Sequence, residues 1–153
     1  MVIVCKPHKK TIDNVILGAV VWTVIAQGIH ILEAFLTKSY YISAEYFSVW
    51  SRLMMPAPAA PPAEFFYVSI AFNFMIGVIM TLFYLIVSCC IYGPSKIFKG
   101  LLFGWLVFLV SVVPGTLTLV LMINLPLELI AVWGLSGLAI SLAGGVAIAH
   151  AVR

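Results

Sequence analysis

The sequence predicts an all-α integral membrane protein with four transmembrane helices, and three observations carry that prediction. Mean hydropathy is +1.20 and only 8% of the 153 residues are charged, whereas a soluble domain carries about a quarter of its residues as charges. Four apolar stretches, residues 14–36, 64–92, 99–121 and 127–150, each supply the roughly 20 helical residues that a hydrocarbon core about 30 Å thick requires. The connecting segments sort their basic residues: Lys6, Lys9, Lys10, Lys96, Lys99 and Arg153 fall on one side, Lys38 and Arg52 on the other. By the positive-inside rule both termini are cytoplasmic and the chain is a multi-pass protein of the plasma membrane or another cell membrane. At this length one domain, a bundle of two antiparallel hairpins, is expected over residues 1–153.

The first span follows a cytoplasmic tail, residues 1–13, that holds Lys6, Lys9, Lys10 and Asp13. No small-residue cleavage site precedes the tyrosine-rich loop, so the stretch reads as a retained helix and not a signal peptide. It carries Thr23, Gln27 and His30 at spacings of four and three, with Glu33 one turn further out.

The outer loop, residues 37–63, has two parts. Over residues 43–55, Tyr46, Phe47, Trp50, Leu53 and Met54 recur at helical spacing opposite Glu45, Ser48 and Arg52, which predicts a short interfacial helix with Ser43 as its N-cap. The run Pro56-Ala-Pro58-Ala-Ala-Pro61-Pro62 reads as an extended spacer.

The second span ends before Gly93-Pro94, and that brief turn makes spans two and three antiparallel neighbours. The third span opens Gly100-x-x-x-Gly104 and contains Val113-Pro114-Gly115. A proline removes a backbone donor, so a kink is expected at Pro114 and Gly115, with Thr116 and Thr118 near the freed carbonyls. A second brief turn at Asn124-Leu125-Pro126 pairs spans three and four.

The fourth span reads Gly137-x-x-x-Ser141-x-x-x-Gly145, widened by Gly134 and Gly144. Such strips permit close backbone approach in lipid, and their partner is a helix of the same chain or of a second protein.

Charge inside a membrane is costly, so ionisable residues there are the first place to look for function. His30 and Glu33 share one face of the first span in its outer half, and Gln27, Glu64, Asn124 and Glu128 fall at similar depth, with Asn73 nearby. Three functional readings follow. The first is a non-catalytic subunit or scaffold that acts through helix packing in a homo-oligomer or larger membrane complex. The second is a small transporter or channel in which this polar cluster relays a proton or cation. The third is a metal-binding membrane enzyme or accessory subunit, with His30 and Glu33 joined by Glu64 or Glu128.

Other chemistry is poorly supplied. His30, His150 and His8 lie at three different depths, so a bis-histidine haem cannot be built within one chain. Asp13 is the sole aspartate, and no serine has an acid and base positioned around it. No residue set specifies a cofactor. Cys5, Cys89 and Cys90 lack C-x-x-C spacing and lie on the side expected to be reducing, so free thiols are expected. The net charge of +3 is explained by basic residues flanking the spans. The bilayer, not nucleic acid, is the expected surface partner.

The topology is testable by labelling intact cells. A cysteine introduced at Ser43 is expected to react with an impermeant maleimide, and one at Ser95 only after permeabilisation; the reverse pattern would invert the orientation.

Overall fold

The computed structural model describes residues 11–57 and 61–152; expectations placed on residues 1–10, 58–60 and 153 lie outside them. Among the described residues there are helices and no strands. Four helical spans of 25 to 27 residues are long and apolar enough to cross a membrane. Three are continuous: α1 (Thr11–Leu36), α3 (Ala63–Val87) and α6 (Leu127–Ala151). The other is composite, with α4 (Lys96–Val107), a π-helical turn (Phe108–Val112) and α5 (Val113–Met122) in line.

Local chemistry sets these limits. α4 starts three residues before the expected boundary because Ser95 caps it, its hydroxyl accepting from the Phe98 amide at 3.2 Å. α3 and α6 each begin directly after an extended proline, Pro62 or Pro126, with a glutamate in the first turn. The Lys96 ammonium donates to the Val152 carbonyl at 3.2 Å, tying the start of α4 to the end of α6.

At Pro114 the helix does not stop. The missing amide and the ring are absorbed by the π-turn just before it, where the Val113 amide bonds Phe108 five residues back. Thr116 and Thr118 do not reach the carbonyl that the proline orphans. They donate to Val112 and Pro114, each four residues back, at 2.8 Å.

Three expectations are corrected. Residues 43–55 form turns with a single 3₁₀ turn at Phe47–Val49, preceded by the one-turn helix α2 (Lys38–Tyr41). Instead of a separate interfacial helix, this segment folds back on α6, where Tyr40, Tyr46, Val49 and Trp50 pack on buried Leu125, Leu129 and Ile130. α3 ends at Val87, not residue 92, and of the two cysteines beyond it Cys90 is free and exposed while Cys89 is disulfide-bonded. That bond departs from the expected free thiols.

Thirdly, the short turn between spans two and three does not make them neighbours. The principal helix pairings are α4 with α6, α1 with α3, and α1 with α6. α1 and α6 therefore form a central pair, flanked by α3 on one side and by α4 and α5 on the other. α3 and α4 meet through bulky rings, Phe83 and Tyr84 lying 5.6 and 5.1 Å from Phe103. Rings of that size hold the two backbones apart.

Glycine does the opposite along α6. A Cβ at Gly100 would lie 2.5 Å from Val146 Cα, one at Gly104 would collide with the Ser141 carbonyl, and one at Gly145 would collide with the Gly100 carbonyl. Gly137 faces Val112, and Gly144 sits under the Trp22 ring of α1. The Gly100/Gly104 and Ser141/Gly145 strips thus close on each other within the chain, backbone to backbone.

Two glycine variants separate packing from propensity. Gly104→Ala is expected to destabilise the inserted protein by about 1–3 kcal/mol, since the clash is with main chain. Gly28→Ala, with nothing within 4 Å of the added carbon, should be neutral or stabilising by up to about 1 kcal/mol. Thermal unfolding in nanodiscs reads both, and equal effects would show that the seam is not what holds the third span.

Candidate functional site

Glu33 is the only charged side chain buried among the described residues, at 7% exposure. It sits one turn before the end of α1, and the chain around it is built to satisfy both carboxylate oxygens. Oε1 accepts from the Tyr41 hydroxyl at 3.0 Å. That hydroxyl in turn accepts from the Trp133 indole nitrogen, on α6, at 3.1 Å. Oε2 faces His30 Nδ1 at 3.4 Å, and a proton on that nitrogen completes the pair. The ring of His30 is nearly half exposed, at 46% against 8% for the Glu33 side chain, so the carboxylate is reached from outside through the imidazole.

The backbone holds the geometry. Thr37 donates through both its amide (2.9 Å) and its hydroxyl (2.7 Å) to the Glu33 carbonyl, ending α1 where the chain turns into α2. That turn places Tyr41 over the carboxylate. Trp50 packs against Tyr41 with the rings tilted and their centroids 4.9 Å apart, and meets Trp133 edge-on at 6.3 Å. Burial, and then the Glu33 carboxylate, push the Tyr41 phenol up to about 12. Tyr41 is thus a neutral donor throughout the physiological range.

The remaining members of the expected cluster separate. Glu128 accepts from the Tyr40 hydroxyl at 2.7 Å on the exposed side of the same loop, and that bond raises the Tyr40 phenol above its ordinary value. Gln27 belongs to a different contact, where its carbonyl oxygen accepts from Ser69 at 3.2 Å and Asn73 at 3.0 Å of α3. Glu64 and Asn124 are exposed and join neither group. Among the described residues no three His, Cys, Asp or Glu side chains converge, so the carboxylates needed beside His30 and Glu33 for a metal are not assembled.

Nor does a polar file run on from Glu33. The other buried polar side chains among the described residues are Asn14, Thr37, Asn73, Thr81 and Ser141. Asn73 is held by Gln27, and Thr81 donates to the Gly77 carbonyl at 2.7 Å.

Sequence reasoning missed Tyr40, Tyr41, Thr37 and Trp133. The available signal was depth: tyrosines just beyond the end of α1 and a tryptophan two turns into α6 fall at the level of Glu33, although no periodicity links them. No family model matches the chain, and no curated protein or solved structure is significantly similar to it.

The phenol makes the site readable by alkaline titration. Because the folded-state value of Tyr41 is raised above the usual 10, its contribution is complete below pH 10 and is lost as pH rises through about 12. Wild type should lose stability across that window. Tyr41→Phe should be less stable at neutral pH by about 1–3 kcal/mol, with the Glu33 oxygen left short of a donor, and should show a flatter alkaline limb. Unfolding midpoints between pH 7 and 12 check this, and parallel curves for the two proteins would contradict the assignment.

Proposed function

We propose that the chain is a non-catalytic membrane component, a subunit or scaffold that acts through helix packing in an oligomer or larger membrane complex. The observation that supports this most directly is how little of α5, the second half of the third span, the chain itself covers. α5 contains no buried residue, whereas the α4 half buries Gly100, Phe103, Gly104 and Val107. Gln27 and Glu33, polar residues of the first span, are engaged in bonds to other elements, which fits a structural role. The small-residue strip of α6, by contrast, is spent inside the chain and is not the surface this reading uses. In the proposed orientation both termini are cytoplasmic, residues 37–63 face outward, and the host membrane is the plasma membrane or another cell membrane.

A second reading, a small proton-linked transporter, is favoured by one observation: a buried carboxylate reached through a half-exposed imidazole. Desolvated carboxylates at membrane depth are the usual proton carriers of such proteins. On this reading Glu33 takes up and releases the proton, and His30 connects it to the aqueous side.

One preparation tests both. Protein extracted from its native membrane in mild detergent is expected to run in native mass spectrometry above its 16.7 kDa monomer mass, as an oligomer or with other membrane subunits. Reconstituted in vesicles, it is expected to show no pH-driven flux. A lone monomer removes the basis of the subunit reading, whereas a flux abolished by Glu33→Gln in a protein of normal stability establishes the transporter in its place.

A further inference from the structure

The third span leaves part of its backbone unsatisfied at membrane depth. Pro114 brings no amide, and the π-turn before it shifts the Val113 amide to Phe108, so a carbonyl one turn before the proline has no donor in its own helix. Thr116 and Thr118 do not supply one, because they donate to Val112 and Pro114. The residues at that carbonyl, Leu109 and Val110, are 45% and 77% exposed, so it opens on the uncovered side of the span. A donor lies beside it. Ser111 is exposed, and its hydroxyl makes no hydrogen bond among the described residues.

Both groups sit where a neighbour can reach them. Gly115 follows Ser111 by one turn on the same face, and a Cβ added there would meet nothing within 4 Å. Of the eleven glycines, Gly28 and Gly115 are the two at which an added Cβ would find open space. Glycine inside a helix costs stability relative to alanine, so an open glycine gains nothing from its own chain. At Gly115 the missing side chain lets another backbone approach within hydrogen-bond distance of the Ser111 hydroxyl and the freed carbonyl. Gly28 has no carbonyl freed by a proline beside it.

The chemistry of this face also selects its occupant. An unbonded donor and an unbonded acceptor lie within one turn of each other on a single helix, so the face complements itself. Copies of one chain insert in one orientation, and residues of equal depth then meet across a two-fold axis along the membrane normal. A different helix would have to bring both a donor and an acceptor to this depth, whereas a second copy does so by symmetry. We propose that a second copy of this chain docks on the Ser111 and Gly115 face of the third span, each Ser111 hydroxyl donating to the carbonyl that Pro114 frees in the other. This pairing rests on the subunit reading given above, for which it names the partner and the surface.

The test reconstitutes full-length protein in phosphatidylcholine vesicles and reads self-association by energy transfer between copies carrying donor or acceptor fluorophores at the C-terminus, over a range of protein-to-lipid ratios. Native mass spectrometry of the assembly extracted from its own membrane is expected to show two copies per particle, each of 16.7 kDa. Ser111→Ala should weaken the pair about tenfold, because symmetry removes two hydrogen bonds at once. Gly115→Leu should be monomeric at lipid dilutions where the wild type is paired. Gly28→Leu, which fills the other open glycine, should pair as the wild type does. All three should unfold no lower than the wild-type temperature, since each change is made at an exposed position. Wild-type pairing in both Ser111→Ala and Gly115→Leu, or an equal loss in Gly28→Leu, would overturn the proposal. A native assembly that holds other subunits with a single copy of this chain would overturn it while leaving the subunit reading in place, and a lone monomer would remove both.

Discussion

Close approach of backbones along α6 is the constraint on which the rest of this structure depends. In lipid, an apolar side chain gains little by leaving the bilayer for a protein interior, so helices associate through tight packing and a few hydrogen bonds. α6 supplies two such surfaces. Ser141 and Gly145 meet Gly100 and Gly104 on one side, and Gly144 receives the Trp22 ring of α1 on the other. α3 then reaches the bundle through α1, with Gly77 lying against the Ala19 backbone and Gly18 against Thr81. Where the facing residues are aromatic, as between α3 and α4, the backbones stay apart in spite of a short connecting turn.

The position of α6 also decides the environment of Glu33. A carboxylate near the end of a membrane helix would ordinarily turn toward water. Here Trp133 on α6 and Tyr41 on the returning loop enclose it, so three separate parts of the chain meet at one side chain. Each bond of this kind is worth about 1 kcal/mol net, but an unsatisfied carboxylate in the same place would cost several. The arrangement therefore specifies where the loop lies more than it adds to total stability. Glu33 also sits beneath an aromatic cluster in which Trp50 meets Tyr41 and Trp133.

The two ends of the molecule are held by different means. At the loop end, Glu33, Tyr40 and Glu128 draw α1, the loop and α6 together through side-chain bonds to phenols. At the other end, Ser95 caps α4 and Lys96 closes α6 through the Val152 carbonyl. Lys96 thus makes a local bond besides contributing to the uneven spread of basic residues among the connecting segments. Between the ends, α5 remains the least covered part of the four spans. The π-turn ahead of Pro114 lets the third span continue as a helix without a second neighbour in the chain to donate to its free carbonyl.

The sequence by itself determined the spans, because bilayer thickness and hydropathy are properties of a stretch of chain and need no knowledge of its neighbours. Helix starts at Pro62 and Pro126, the glycine strips and the disturbance at Pro114 were legible for the same reason: each acts within a turn or two of its own position. The pairing of the strips was a matter of tertiary structure, since Gly100 and Ser141 declare only that something comes close. The fate of the polar residues was likewise decided there. Gln27 and Glu33 are two turns apart on one helix, yet one faces α3 and the other faces α6 and the loop. The amphipathic pattern at 43–55 misled for a related reason: aromatics at helical spacing suit an interfacial helix, but they equally suit a segment folded onto Leu129 and Ile130. Periodicity reports which residues share a face, and only the packed chain determines what that face meets.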